Sequence, residues 1–282
     1  MKTMLLVFAH PDDESFSAGG TIAKYKKMGW KIELLVATNG EKGQSGSLTD
    51  ITEEELGALR QTELKAAAKV LGIRNITFLG QPDGGLTTLS PGTLEDPIAK
   101  RMLELLPDIV ITHDTTGISN HPDHIKLCYA TTFAFQKYTE HLETLKQPDM
   151  ARLGRGKEWK EDAYLRAFGD LDPENKEPKL YYSCMPDHVA SYMKKMKAIP
   201  EQSFGKPWVG TKDRFVTTAI DIEGFQIQKG KALLCHQTQQ TDVDRFINFD
   251  QNPLHKQEYF ILRMQGIHEV FMGKTDRVAE IL

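Results

Sequence analysis

The chain has 282 residues, 40% of them hydrophobic and 26% charged, with a formal net charge of −4. That length suits one large domain, and the composition supplies enough apolar material for a core. The balanced charge provides no basic field for nucleic acid, and no run approaches the ~20 apolar residues of a membrane span.

The first element is the short apolar run from Met4 to Ala9, of the kind that forms a buried parallel strand. It is too brief for a secretion signal and has no small-residue cleavage site after it, so the expectation is a soluble, cytoplasmic protein. Residues Ala18 to Met28 predict a helix ended by Gly29, and Ile32 to Thr38 a second strand. Glu53 to Leu71 is rich in Ala, Leu, Glu and Lys and predicts a long helix stopped by Gly72. A third strand follows at Ile76 to Leu79, then a helix from Leu94 to Leu106 closed by Pro107, then a fourth strand at Ile109 to His113. Strands and helices alternating at this spacing predict an α/β fold: a Rossmann-like, doubly wound, mostly parallel sheet. Residues 137–178 are charged and broken by Gly154, Gly156, Gly169, Pro173 and Pro178, which reads as a helical and looped insertion that could cap a site. Later strands are expected at Leu180 to Cys184 and Phe215 to Ile220, in a smaller C-terminal part. The whole of 1–282 reads as a single domain. Cys128, Cys184 and Cys235 form no CxxC pair, which argues against a thiolate cluster and a disulfide framework.

In an open α/β sheet, ligands bind beyond the carboxyl ends of the strands. Strand one is followed there by His10-Pro11-Asp12-Asp13-Glu14, and strand four by His121-Pro122-Asp123-His124 at the start of a helix. No G-x-G-x-x-G follows the first strand, and acidic residues stand where a dinucleotide phosphate would lie, so a nucleotide cofactor is disfavoured. Catalytic zinc takes three N/O ligands and keeps one position open. His10 and an aspartate of the Asp12-Asp13 pair could supply two of them. His121 and His124, three apart in a first helical turn, can face one point, so either could be the third ligand. The partner left over in each pair would be free for acid, base or electrostatic work.

These two segments resemble the PIG-L/LmbE-like N-deacetylases, whose members act on N-acetylglucosaminyl lipids and on precursors of mycothiol and bacillithiol. Thr38-Asn39-Gly40-Glu41-Lys42-Gly43, Leu59-Arg60 with Glu63, and Lys231-Ala232-Leu233 with His236 and Gln239 extend the resemblance. It implies a metal-dependent hydrolase that removes acetyl from an N-acetylated small molecule, with water as nucleophile. The implied ligands of the cation (Zn2+, or another divalent ion such as Fe2+) are His10, Asp13 and His124. Asp12 matches the general base, His121 the oxyanion stabiliser, Asp123 the residue orienting His121, and Arg60, Glu41 and Asp83 match substrate-binding positions. Ser119 departs from the pattern, since mycothiol-type members carry a tyrosine there. A larger-acyl amidase of the mycothiol S-conjugate type and an inactive sugar-binding relative share the same motifs. His113, Trp208 and His236 are left without a role, and a homo-oligomer is compatible with the sequence.

Overall fold

A computed structural model describes residues 1–145, 176–247, 252–270 and 279–282. Its centre is a mixed sheet built from β1 (Thr3–Phe8), β2 (Lys31–Thr38), β3 (Asn75–Gln81), β4 (Ile109–His113) and β5 (Lys179–Cys184). The parallel order is β3-β2-β1-β4-β5, and β9 (Gln257–Gln265) adds antiparallel to β5. The chain first winds outward from β1 to β3, then jumps back to place β4 on the other side of β1. The crevice between the ends of β1 and β4 is therefore the topological switch point, the place where such sheets bind ligands.

The period-2 geometry of β1 explains its continuous apolar run. Met4, Leu6 and Phe8 pack in one core with α1 (Asp13–Lys27) and α2 (Glu53–Leu71). Leu5, Val7 and Ala9 pack in a second core with α3 (Glu95–Leu105) and α5 (Pro122–Leu145), the latter preceded by the single turn α4 (Gly117–Asn120), so both faces of the sheet are covered. α2 carries the bounds its sequence predicts because its ends are explicit. Thr52 and Glu55 form a reciprocal capping box, and Gly72 closes the helix in the left-handed region at φ 79°.

Two expectations need correction. α1 begins at Asp13, five residues before the predicted Ala18, because Asp13 and Glu14 suit a first helical turn with its positive dipole end. The sequence reading also missed β9, which lies between β5 and β8 (Thr218–Asp221); Phe215, expected to open the later strand, closes a helical turn (Asp213–Phe215) instead. Of the expected insertion at 137–178, residues 137–145 continue α5 and 146–175 lie outside the described residues.

The carboxyl-terminal part adds α6 (Asp187–Lys195), the small hairpin β6 (Gln202–Ser203) and β7 (Lys206–Pro207), α7 (Gln226–Leu233), α8 (Gln240–Ile247) and β10 (His268–Glu269). α7 packs on α1 and α2. Lys229 and Glu258 form a buried ion pair at 2.6 Å. Glu258 accepts the amides of Gly20 and Thr21 in the middle of α1, while Lys229 Nζ donates to the carbonyl of Phe16. Among the described residues, no helix is long and apolar enough to cross a membrane.

Candidate metal centre

His10 follows β1, Asp13 opens α1, and His124 lies in the first turn of α5. Their donor atoms converge. His10 Nδ1 is 3.0 Å from His124 Nε2 and 3.5 Å from an Asp13 oxygen, and the other Asp13 oxygen is 3.3 Å from His124 Nε2. All three residues are buried. The far nitrogen of each imidazole is held by an acceptor: His10 Nε2 by Asp83 at 3.1 Å and Asp123 at 3.4 Å, and His124 Nδ1 by the carbonyl of Gly117 at 3.1 Å. Acceptors behind metal-facing imidazoles fix their tautomer and orientation. Gly117 takes φ +64°, and a side chain there would meet Ile125 at 2.8 Å, so only glycine brings this carbonyl close to His124.

His113, at the end of β4, is fully buried and stacks on the His124 ring with centroids 3.8 Å apart. Its Nε2 accepts the Ala9 amide at 3.2 Å and lies 3.3 Å from Asp13, so the ring packs against two of the three converging residues.

Asp12 stands beside the centre with φ 131° and ψ −26°, a conformation rare for a residue with a side chain. Strain of this kind costs ~1–3 kcal/mol and persists only where the surroundings impose it. Glu14 accepts the Asp12 amide at 3.1 Å, while Arg60 donates to the Pro11 carbonyl at 2.7 Å and the Asp12 carboxylate at 3.1 Å. Burial pushes the Asp12 carboxyl up to about 7, against the pull of the Arg60 guanidinium.

The substrate-side expectations divide. Asp83 lines the cavity over the centre; burial disfavours its charge, but the hydrogen bond and charge of His10, the Lys42 amide and the Arg60 charge together outweigh that and hold it at about 2. Arg60 is buried, and its terminal nitrogens are engaged by Gly40, Pro11 and Asp12. Side chains at Gly40 or Gly43 would collide with it, so the glycines of the second motif exist to admit this arginine. Glu41 stands behind Asp83, accepting its amide at 2.8 Å, and does not line the cavity.

His121 lines the cavity and stacks on His124 with centroids 4.6 Å apart. The carboxylate of Asp123 faces away from it, accepting the amides of Gly84 and Leu86 at 2.7 and 3.1 Å. What orients His121 is the Asp123 backbone amide, which donates to His121 Nδ1 at 3.2 Å. Burial, followed by the charge of His10, lowers His121 to about 4. The ring is thus neutral, with its proton on Nε2.

Two contributors have no signal in the two His/Asp motifs. His236, before α8, sits 3.1 Å from Glu14. Phe204, at the tip of the β6–β7 hairpin, meets the His121 ring edge to face at 4.5 Å.

This is an α/β protein with a His/Asp centre suited to a divalent cation at the switch point of its sheet. Residues 5–135 match the PIG-L family, described as GlcNAc-PI de-N-acetylase. A 1D-myo-inositol 2-acetamido-2-deoxy-alpha-D-glucopyranoside deacetylase of Thermobifida fusca is 30% identical over 291 residues, covering 93% of this chain and 92% of that one. The chain belongs to the PIG-L deacetylase family. Among solved structures, an N,N'-diacetylchitobiose deacetylase from Pyrococcus horikoshii aligns with TM-score 0.60 at 20% identity, covering 98% of this chain and 88% of that one. The 4-carboxy-2-hydroxymuconate hydratase of Pseudomonas putida aligns with TM-score 0.61 at 18% identity, covering 97% and 99%. Both likenesses show the fold, and one fold can carry different reactions.

Proposed function

We propose that this chain is a metal-dependent hydrolase that removes acetyl from an N-acetylated amino sugar of the N-acetylglucosamine type or a related small molecule. The observation that carries the reading is the convergence of His10, Asp13 and His124 beside a buried, strained Asp12 at the floor of one cavity. The donor set fits a divalent cation: two nitrogens and one carboxylate meet at one point, and both imidazoles are braced from behind. Zinc suits such a set, and iron(II) is accommodated by the same ligands. A cation held there would supply Lewis-acid activation of the acetamide carbonyl and of water.

The remaining work falls to the chain. Asp12, raised toward neutrality by burial, accepts the proton of the attacking water and returns it to the departing amine. Its strained backbone aims the carboxylate into the cavity, with Glu14 and Arg60 holding the turn from two sides. His121 donates from Nε2 to the developing oxyanion as a neutral imidazole, a role for which the Asp123 amide sets the tautomer. Asp83 orients His10 and offers its carboxylate to a substrate hydroxyl, while Arg60 positions Asp12. The products are acetate and a free amine.

The test is acetate release from a panel of N-acetylated amino sugars, run beside metal analysis of the same preparation. A protein carrying a full complement of metal that released acetate from none of them would sink the reading.

A further inference from the structure

The cavity over the centre has a volume of about 850 Å³, toward the upper end of small-molecule sites and more than one N-acetylhexosamine fills. Its walls differ in chemistry. Asp83, Lys42, Gln44 and Gln239 line it on the side of the second motif and α8, where sugar hydroxyls find partners. Met193, Ile199, Phe204 and Trp208 line it around α6 and the β6–β7 hairpin, and Leu254 bridges from there to Phe246 of α8. Ile199, Trp208 and Leu254 pack on the third hydrophobic cluster with part of their surface left uncovered, so this wall is continuous with a core.

The placement of Phe204 is an independent sign of use. Phe204 and Gly205 form the two-residue tip of the β6–β7 hairpin, and both have positive φ, 51° and 72°. Such tips favour Asn-Gly; a bulky aromatic residue in the first position is strained and, left exposed, costs solvation as well. Phe204 is 54% exposed and rests its ring against His121. The hairpin is pinned in that position: Asn120 donates to the Pro207 carbonyl at 3.0 Å, and Trp208 Nε1 to the Ile118 carbonyl at 2.6 Å. Ser119, small, lines the cavity next to this shelf. The fold thus holds an unfavourable, water-exposed phenyl ring over the reacting centre by means of several hydrogen bonds.

Resting on the deacetylase reading, we propose that the preferred substrates are N-acetylated amino sugars bearing an apolar aglycone, aromatic or alkyl, seated between Phe204, Trp208, Ile199 and Met193. With the acetamide carbonyl at His10, Asp13 and His124 and the sugar hydroxyls toward Asp83 and Lys42, the remaining apolar wall falls to the glycosidic substituent. A polyhydroxylated aglycone would lose its water there without finding hydrogen-bond partners.

The experiment compares the methyl, phenyl and octyl glycosides of N-acetylglucosamine with N,N'-diacetylchitobiose and methyl N-benzoylglucosaminide. Acetate or benzoate release is read on the metal-loaded protein, and binding of the deacetylated methyl and phenyl glucosaminides is read by calorimetry. The phenyl and octyl glycosides are expected to exceed the methyl glycoside and the chitobiose in kcat/KM by about tenfold or more, with a matching gain in phenyl binding. Phe204→Asn, which keeps a residue suited to the turn, and Ile199→Gln are each expected to shrink that ratio severalfold. Equal rates and equal binding across aglycones, or a ratio unchanged in both variants, would overturn the proposal, as would a preference for the bulky N-acyl group. Tighter phenyl binding that depends on Phe204, with no acetate from any probe, would uphold the apolar subsite and refute the deacetylase reading instead.

Discussion

His236 Nε2 lies 3.1 Å from one oxygen of Glu14, whose other oxygen accepts the Asp12 amide at 3.1 Å. All of Glu14 and nearly all of His236 are shut off from solvent. Burial opposes a charged His236 ring, but the Glu14 carboxylate and the charges of Asp12 and Glu63 together outweigh it and hold the ring above its ordinary value. His236 thereby stabilises the carboxylate that fixes the strained Asp12 peptide.

Replacement of this partner is expected to act through geometry. His236→Gln should lower kcat by on the order of 10²-fold, as a displaced catalytic group does, with KM little changed and metal content retained. Loss of metal in step with activity would show that His236 serves the ligands rather than Asp12.

Asp12→Asn removes the proton acceptor and keeps the shape. Turnover should fall ~10²–10⁴-fold, the range for general acid–base groups, in a protein that still holds one equivalent of metal. Retention of the wild-type rate would place the base elsewhere.

Gly117→Ala tests the support behind His124. The added carbon meets Ile125 at 2.8 Å and strains φ +64°, which displaces the carbonyl that holds His124 Nδ1. Metal affinity should drop ~10–100-fold in chelator competition, a loss typical of removed supporting partners, whereas His124→Ala should abolish tight binding. Unchanged affinity in Gly117→Ala would mean that the carbonyl is dispensable.

Arg60→Met should move the acid limb of the pH–rate profile. Asp12 acts as a base only when ionised, so activity is lost as pH falls through its pKa. Burial raises that pKa and the Arg60 charge lowers it. Without the guanidinium the limb shifts to higher pH, and kcat/KM followed against pH would reveal it. A limb that moved to lower pH would contradict this assignment.

The parallel half of the fold was legible because its signals are local. β1, β4 and α2 announce themselves by an unbroken apolar run, by a strand ending in His113, and by a capped Ala/Leu/Glu/Lys-rich helix. β9 was not legible, since its place between β5 and β8 is fixed by pairing with distant strands. At the centre, the two His/Asp motifs identified the residues that converge, because strand ends at a switch point leave them little choice of position. What the motifs could not reveal is orientation: that Asp123 turns its carboxylate to Gly84 and Leu86, or that Arg60 turns its terminal nitrogens to the carbonyls of Gly40 and Pro11 and to the Asp12 carboxylate. Phe204 was invisible for a similar reason, since nothing in Ser203-Phe204-Gly205 says which ring the hairpin will cover.

Glu258, on β9, takes amide hydrogens from the interior of α1, and Lys229 of α7 takes up a carbonyl one turn earlier. The helix that begins with Asp13 is therefore completed by chain more than two hundred residues downstream. An amino-terminal fragment containing every residue of the two motifs would lose the Glu258 and Lys229 contacts to α1 and expose the face that α7 covers. Both motifs lie in the first half of the polypeptide, yet the helix that carries Asp13 is braced from the far end of the chain.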